Sequence, residues 1–213
     1  MIKLTNITFG YKKNKLVYND YTLTIPYGLT YIVGANGRGK STLIQLIMGI
    51  LKPTKGSIKI MDEDISGKKL FQLGSLCGYL LQHYENMLFA NTVYEELAFP
   101  LEFQNLDKAL IDKQVTDTLI KFNLLDKKDC FPLTLSGGEK QKLALATIFM
   151  RGVEIFLLDE PTSGLDSDTK SQLVKQLEKI INSGKNVVIV THDEDLMNEL
   201  PGRTFYLGDT PLC

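Results

Sequence analysis

Nine consecutive residues restrict what this chain can become. Gly34-Ala35-Asn36-Gly37-Arg38-Gly39-Lys40-Ser41-Thr42 fits the pattern G-x-x-x-x-G-K-[ST] and joins two segments of different character. Residues 29–33 are a short apolar run of strand type, while Leu43, Leu46, Ile47 and Ile50 recur at helical spacing. Small residues between a strand and a helix let the backbone curl until successive N–H groups point at an anion. The start of the helix adds positive partial charge at the same place. Lys40 supplies a mobile cation for β- and γ-phosphates, Ser41 a hydroxyl for Mg²⁺, and Thr42 a hydroxyl for another phosphate oxygen. The string therefore points to a bound nucleoside triphosphate and to an α/β fold.

The rest of the pattern extends that reading. Ile2, Leu4, Ile7 and Phe9, then Tyr21, Leu23 and Ile25, alternate with polar residues in the manner of half-buried antiparallel strands. Residues 57–61 and 78–81 read as further strands. From residue 84 to residue 150 the apolar positions fall three to five apart among Lys, Asp and Gln, a run of helices without a strand signature. Strands return at 155–158 and 187–190, both continuously apolar as in parallel strands covered on two faces. Residues 169–181 between them carry Leu173, Val174, Leu177, Ile180 and Ile181 on one helical face. The expected architecture is one domain over residues 1–213. Its α/β core has a mainly parallel sheet and an N-terminal antiparallel part, split into 1–83 and 151–213 by a helical insert at 84–150.

Composition removes several functions. With 24 basic and 25 acidic residues in 213, the net charge of −1 creates no field for nucleic acid or anionic lipid. Cys77, Cys130 and Cys213 are few, odd in number and without metal-type spacing, which fits a reducing cytosol. The first residues lack the apolar core of a signal peptide, and no apolar run approaches the ~18–20 residues of a membrane span. A cytoplasmic chain is expected, touching membranes only through partners.

Three further constellations carry chemistry. Asp159 and Glu160 stand at the exit of the apolar run 155–158, where Asp159 would orient the water shell of Mg²⁺ and Glu160 would polarise an attacking water. Read alone, the pair also fits a solvated acidic turn before Pro161. Ser136-Gly137-Gly138-Glu139 reads as a capping box opening a helix. Its two glycines exceed what a cap needs, so the helix start can also receive a phosphate, one held by another chain. His192 follows the strand at 187–190 and would contact a γ-phosphate, although a surface histidine is the plainer reading. Gln82, between core and insert, is open in the same way.

In this order, the motifs resemble those of the ATP-binding cassette (ABC) ATPases, a P-loop family with a RecA-like core, and the resemblance spans essentially the whole chain. Residues 34–42 look like Walker A, Gln82 the Q-loop, 135–139 the signature and 155–160 Walker B. Asp166 lies in a stretch similar to the D-loop, His192 resembles the switch histidine, and Tyr11 matches the aromatic that stacks on adenine. The resemblance implies that two such subunits close head to tail on two ATPs. Residues 34–42 of one would face Ser136, Gly137 and Gly138 of the other, with Glu160 as base, Ser41, Gln82 and Asp159 at Mg²⁺, and transmembrane subunits docked on the insert near Gln82. Residues 82–99 are similar to the ATPases of energy-coupling-factor importers for vitamins and transition metals. Arg38, Glu139 and Lys142 depart from the residues usual in the family. Other transporter types, cassettes outside transport and a hydrolytically dead subunit remain the competing readings. Too few residues separate Lys40 from Leu135 for the long coiled coils of repair-type relatives.

Overall fold

The computed structural model describes residues 1–12, 15–104 and 106–208; Cys213 lies outside them. Two sheets organise the chain. In the first, β1 (Ile2–Lys12) pairs antiparallel with β2 (Lys15–Ile25) on one side and β4 (Lys55–Ile60) on the other. The two-residue β5 (Glu63–Asp64) extends the sheet beyond β4. The alternation of β1 slips by one residue between Leu4 and Ile7, where the register shifts and Asn6 takes φ 52°. That bulge keeps Ile2, Leu4, Ile7 and Phe9 on the buried face.

The second sheet contains β3 (Leu29–Val33), β6 (Cys77–Leu80), β7 (Ile155–Asp159), β8 (Asn186–Val190) and β9 (Arg203–Tyr206) in the order β6-β7-β8-β3-β9, every pairing parallel. Its middle strands are apolar on both faces because each face meets a separate core. Ile155, Leu157, Val188 and Val190 pack with α1 (Lys40–Ile47) and the antiparallel sheet. Phe156, Leu158, Val187 and Ile189 pack with α3 (Val93–Glu102), α4 (Lys108–Lys121), α5 (Gly137–Met150) and α6 (Ser167–Asn182). Among the described residues no strand lies between β6 and β7.

Side chains set the helix starts. Thr92, Asp107, Ser136 and Asp166 each accept a hydrogen bond from a backbone N–H in the first turn of α3, α4, α5 and α6, and Asp193 does the same for α7 (Glu194–Glu199). The strand expected at 57–61 ends at Ile60, because Met61 and Asp62 adopt φ 51° and 65° to turn into β5. The helix α2 (Leu70–Leu76), α7 and the edge strand β9 carried no clear sequence pattern. Among the described residues β9 pairs only with β3, and it is polar at Arg203 and Thr204, so it lacks the continuous apolar run of its neighbours.

Candidate active site

The carboxyl ends of four adjacent parallel strands bring the sequence-predicted residues to one edge of the sheet. The glycine loop leaves β3 after Val33, Glu160 follows the end of β7, Thr191 and His192 follow β8, and Gln82 stands two residues beyond β6. Ligands of open parallel sheets bind just outside these carboxyl ends, where loops diverge from a rigid base.

The antiparallel sheet pins the glycine loop from the side. Gly39 caps α1 at φ 89°, and a Cβ there would lie 2.7 Å from Val17 Cγ1 and 3.0 Å from Tyr18 Oη. Only glycine satisfies both the angle and the approach. The Tyr18 hydroxyl donates to the Gly39 carbonyl at 2.8 Å, and burial pushes its pKa far up, keeping it a neutral donor. Tyr11 is 63 % exposed and its hydroxyl lies 3.1 Å from Thr42 Oγ1, so an open aromatic ring flanks the loop. Ala35, Asn36 and Gly37 are exposed, and the Arg38 side chain runs beside Gly208.

Inside the loop, Lys40 Nζ donates to the carbonyls of Gly34 (2.5 Å) and Ala35 (3.2 Å) and lies 3.0 Å from His192 Nε2. Burial lowers the ammonium pKa, and the charges of Glu160 and Asp159 oppose that shift. Asp159 is 3 % exposed, and burial raises its pKa against a hydrogen bond from Ser41 and the charge of Lys40. Its Oδ2 is buried without a hydrogen-bond partner, an acceptor directed at a cation or donor. One carboxylate and one hydroxyl suit Mg²⁺, which takes few protein ligands and fills its octahedron with water and phosphate oxygens.

Glu160 sits at φ 51°, a region non-glycine residues rarely occupy. The surroundings hold it there. Its N–H donates to Val190 O (2.8 Å), the Thr191 hydroxyl donates to Oε2 (3.2 Å), and His192 Nε2 lies 3.8 Å from Oε1. A cation, a buried carboxylate and a second carboxylate held in strained geometry are what phosphoryl transfer to water requires: charge neutralisation, metal placement and an oriented nucleophile.

The other expected participants stand apart from this cluster. Among the described residues no hydrogen bond joins Gln82, which is exposed, to it. Asp166 caps α6 through the Thr169 N–H and hydroxyl at 2.8 and 2.9 Å. Ser136 and Glu139 form their reciprocal cap, with Glu139 Oε2 2.8 Å from both Ser136 N and Oγ, and these hydrogen bonds lower the Glu139 pKa. Gly137 and Gly138 beside them face Tyr84 and Gly164 rather than the glycine loop. Thr191 and Gln141 were not singled out from the sequence, although a threonine closing an otherwise apolar strand was a signal.

The ABC transporter family model matches residues 18–163, which include both the glycine loop and the β7 carboxylates. The chain belongs to the ABC transporter family. The energy-coupling factor transporter ATP-binding protein EcfA1 of Fusobacterium nucleatum is 36 % identical over 197 residues, 92 % of this chain and 74 % of that one. The dimeric cassette MJ0796, in a post-hydrolysis state with ADP and Pi, superimposes with a TM-score of 0.88 at 29 % identity, covering 98 % and 95 % of the two chains. CbiO1 of Clostridium perfringens, part of the ABC transporter complex cbiONQ, gives 0.81 at 30 % identity over 97 % and 84 %. This ABC protein is an ATP-binding, ATP-hydrolysing subunit of a transporter. Among its described residues no helix is long and apolar enough to cross a membrane.

Proposed function

We propose that this subunit powers an importer of the energy-coupling-factor type, closing with a second cassette on two ATPs at the cytoplasmic face of a membrane. The observation that carries the catalytic part is the convergence of Lys40, Asp159, Glu160 and His192 at the ends of β3, β7 and β8. In this reading residues 34–42 wrap the triphosphate, with Lys40 turning from the loop carbonyls to the β- and γ-phosphates. Tyr11 stacks on the base. Ser41 and Asp159, with Gln82, hold Mg²⁺, which neutralises charge on the phosphates. Glu160 takes the proton from water, held for that task by Thr191, and His192 contacts the γ-phosphate. Ser136, Gly137 and Gly138 offer their helix start to the mate's nucleotide, and Asp166 lies at the same interface. The dimeric form of MJ0796 supports this pairing.

A row of exposed aromatic rings supports the transport part. Phe89, Phe99 and Phe103 stack edge to face at 4.8 and 4.9 Å on the helical segment that follows Gln82, and Phe103 is 74 % exposed. A contiguous apolar row of this kind marks a protein-binding surface, here for a transmembrane subunit. The relation to EcfA1 supports an importer of the energy-coupling-factor type, the class that the likeness of residues 82–99 implies for vitamins and transition-metal ions.

Three measurements test the reading. Glu160→Gln accumulates an ATP-bound dimer in size-exclusion chromatography and nearly abolishes hydrolysis; turnover at the wild-type rate removes Glu160 from the role of base. Tagged wild-type subunit purified from membranes brings integral membrane subunits with it, and the double change Phe99→Ser, Phe103→Ser releases them. Reconstituted uptake of a substrate other than a vitamin or metal ion would assign the cassette to another transporter type.

A further inference from the structure

In the proposed dimer the signature glycines and the hydrolytic carboxylate of one chain serve different ATPs, yet one buried side chain on the helix that carries the glycines reaches the backbone that carries the carboxylate. Gln141 lies on α5, one turn beyond Gly137 and Gly138, and is 1 % exposed. Its Nε2 donates to the carbonyl of Pro161 at 2.9 Å and reaches that of Glu160 at 3.5 Å. The opposite atom, Oε1, is buried without a partner, so the side chain is oriented by its donor end alone. A buried amide accepting that imbalance is costly for a residue that only fills space. The backbone it grips is the strained one: Glu160 at φ 51° is otherwise held by its N–H to Val190 and by Ser163 N–H on its carbonyl (3.2 Å). Strained conformations persist where surrounding contacts over-determine them, and Gln141 is the contact that comes from the signature helix.

We infer that Gln141 is a positioning residue for hydrolysis, relaying the seating of α5 on the mate's nucleotide to the Glu160 carboxylate of its own chain. The inference rests on the proposed roles of residues 136–138 and Glu160. It makes each chain's base sensitive to the other chain's ATP, so the two sites fire together. Misplacement of a reacting group by about 1 Å costs on the order of 100-fold in rate. Loss of the relay therefore lowers turnover while nucleotide binding, set by residues 34–42, persists.

The test replaces the amide by an isosteric side chain without a donor, Gln141→Met, in the full chain. Expected are a kcat about 10- to 100-fold lower, an ATP KM within about twofold of wild type, and a Hill coefficient for ATP falling toward one. In the Glu160→Gln background, the added Gln141→Met leaves the ATP concentration for half-maximal dimerisation within about the same twofold range. Unchanged kcat and Hill coefficient overturn the inference. So does loss of dimerisation with undiminished turnover per dimer, which would make Gln141 a support for α5 alone. Should Gln141→Met fail to fold, Gln141→Asn, whose amide is one methylene too short to reach Pro161, is read by the same criteria. A Glu160→Gln chain that fails to dimerise with ATP refutes the underlying reading instead, and that result is separable because it precedes any change at Gln141.

Discussion

Lys40 Nζ lies 3.0 Å from His192 Nε2, joining the glycine loop after β3 to the end of β8. Replacement of Lys40 by Ala removes the charge-assisted phosphate contact proposed for it, worth about 1.5–3 kcal/mol, so ATP binding is expected to weaken about 10- to 100-fold. His192→Ala leaves Lys40 its two carbonyl partners and lowers turnover without a comparable loss of affinity. Equilibrium titration with a fluorescent ATP analogue, beside steady-state hydrolysis, separates the two effects.

The cap of α5 distinguishes hydrogen bonding from charge. Ser136→Ala removes the acceptor for the Glu139 N–H and the hydroxyl proposed for the mate's phosphate, costing about 1 kcal/mol of stability and most of the hydrolysis. Glu139→Gln keeps a side-chain acceptor for Ser136 N and Oγ, because either residue completes a capping box. It gives up only the favourable charge at the helix start, about 0.5 kcal/mol. Urea unfolding of both variants against wild type checks the order.

A buried carboxylate holds the loop ahead of α3. Glu96 Oε2 accepts from the N–H groups of Phe89 and Ala90 at 2.8 and 2.9 Å, and the residue is almost fully buried. Glu96→Leu strands both donors and destabilises the protein by about 2 kcal/mol; Glu96→Gln keeps one neutral acceptor and costs about 1 kcal/mol. Faster hydrogen exchange at Phe89 and Ala90 in the leucine variant would localise the loss.

Acid should weaken the contact between α6 and α7. Burial alone would raise the Asp193 pKa, but hydrogen bonds from Lys170, Thr162 and the Leu196 N–H, with the Lys170 charge, hold it below the usual carboxylate range. The Lys170–Asp193 pair, at 2.9 Å, also raises the Lys170 pKa. A depressed folded pKa stabilises fully above the unfolded value of about 3.9, and that contribution is lost as pH falls from there through the folded value. Lys170 adds stability below its ordinary value of about 10.4, lost as pH rises through its raised one. With Lys170 partly exposed, Lys170→Met costs about 0.5 kcal/mol between pH 6 and 8, and the difference from wild type shrinks below about pH 4. Thermal unfolding across pH reads it.

Residues whose role depends on neighbours along the chain were legible without coordinates. The glycine loop, the Asp159–Glu160 pair and the Ser136–Glu139 cap each work through contacts within a few positions, so their spacing alone announces them. The apolar runs of β7 and β8 likewise announce burial on two faces. Gln141 was not legible, since a glutamine between two lysines on a helix reads as solvated surface. Strand β9 was missed because an edge strand covered on one side needs no continuous apolar run.

Sequence by itself therefore determined which short segments could bind phosphate, carry a carboxylate or start a helix. Only the tertiary structure decided that Lys40, Asp159, Glu160 and His192 share one site, and that Gln141 reaches the backbone of Glu160. The physical reason lies in the parallel sheet. Its order β6-β7-β8-β3-β9, held with both faces of the central strands buried in separate cores, sets side by side strand ends that are far apart along the chain.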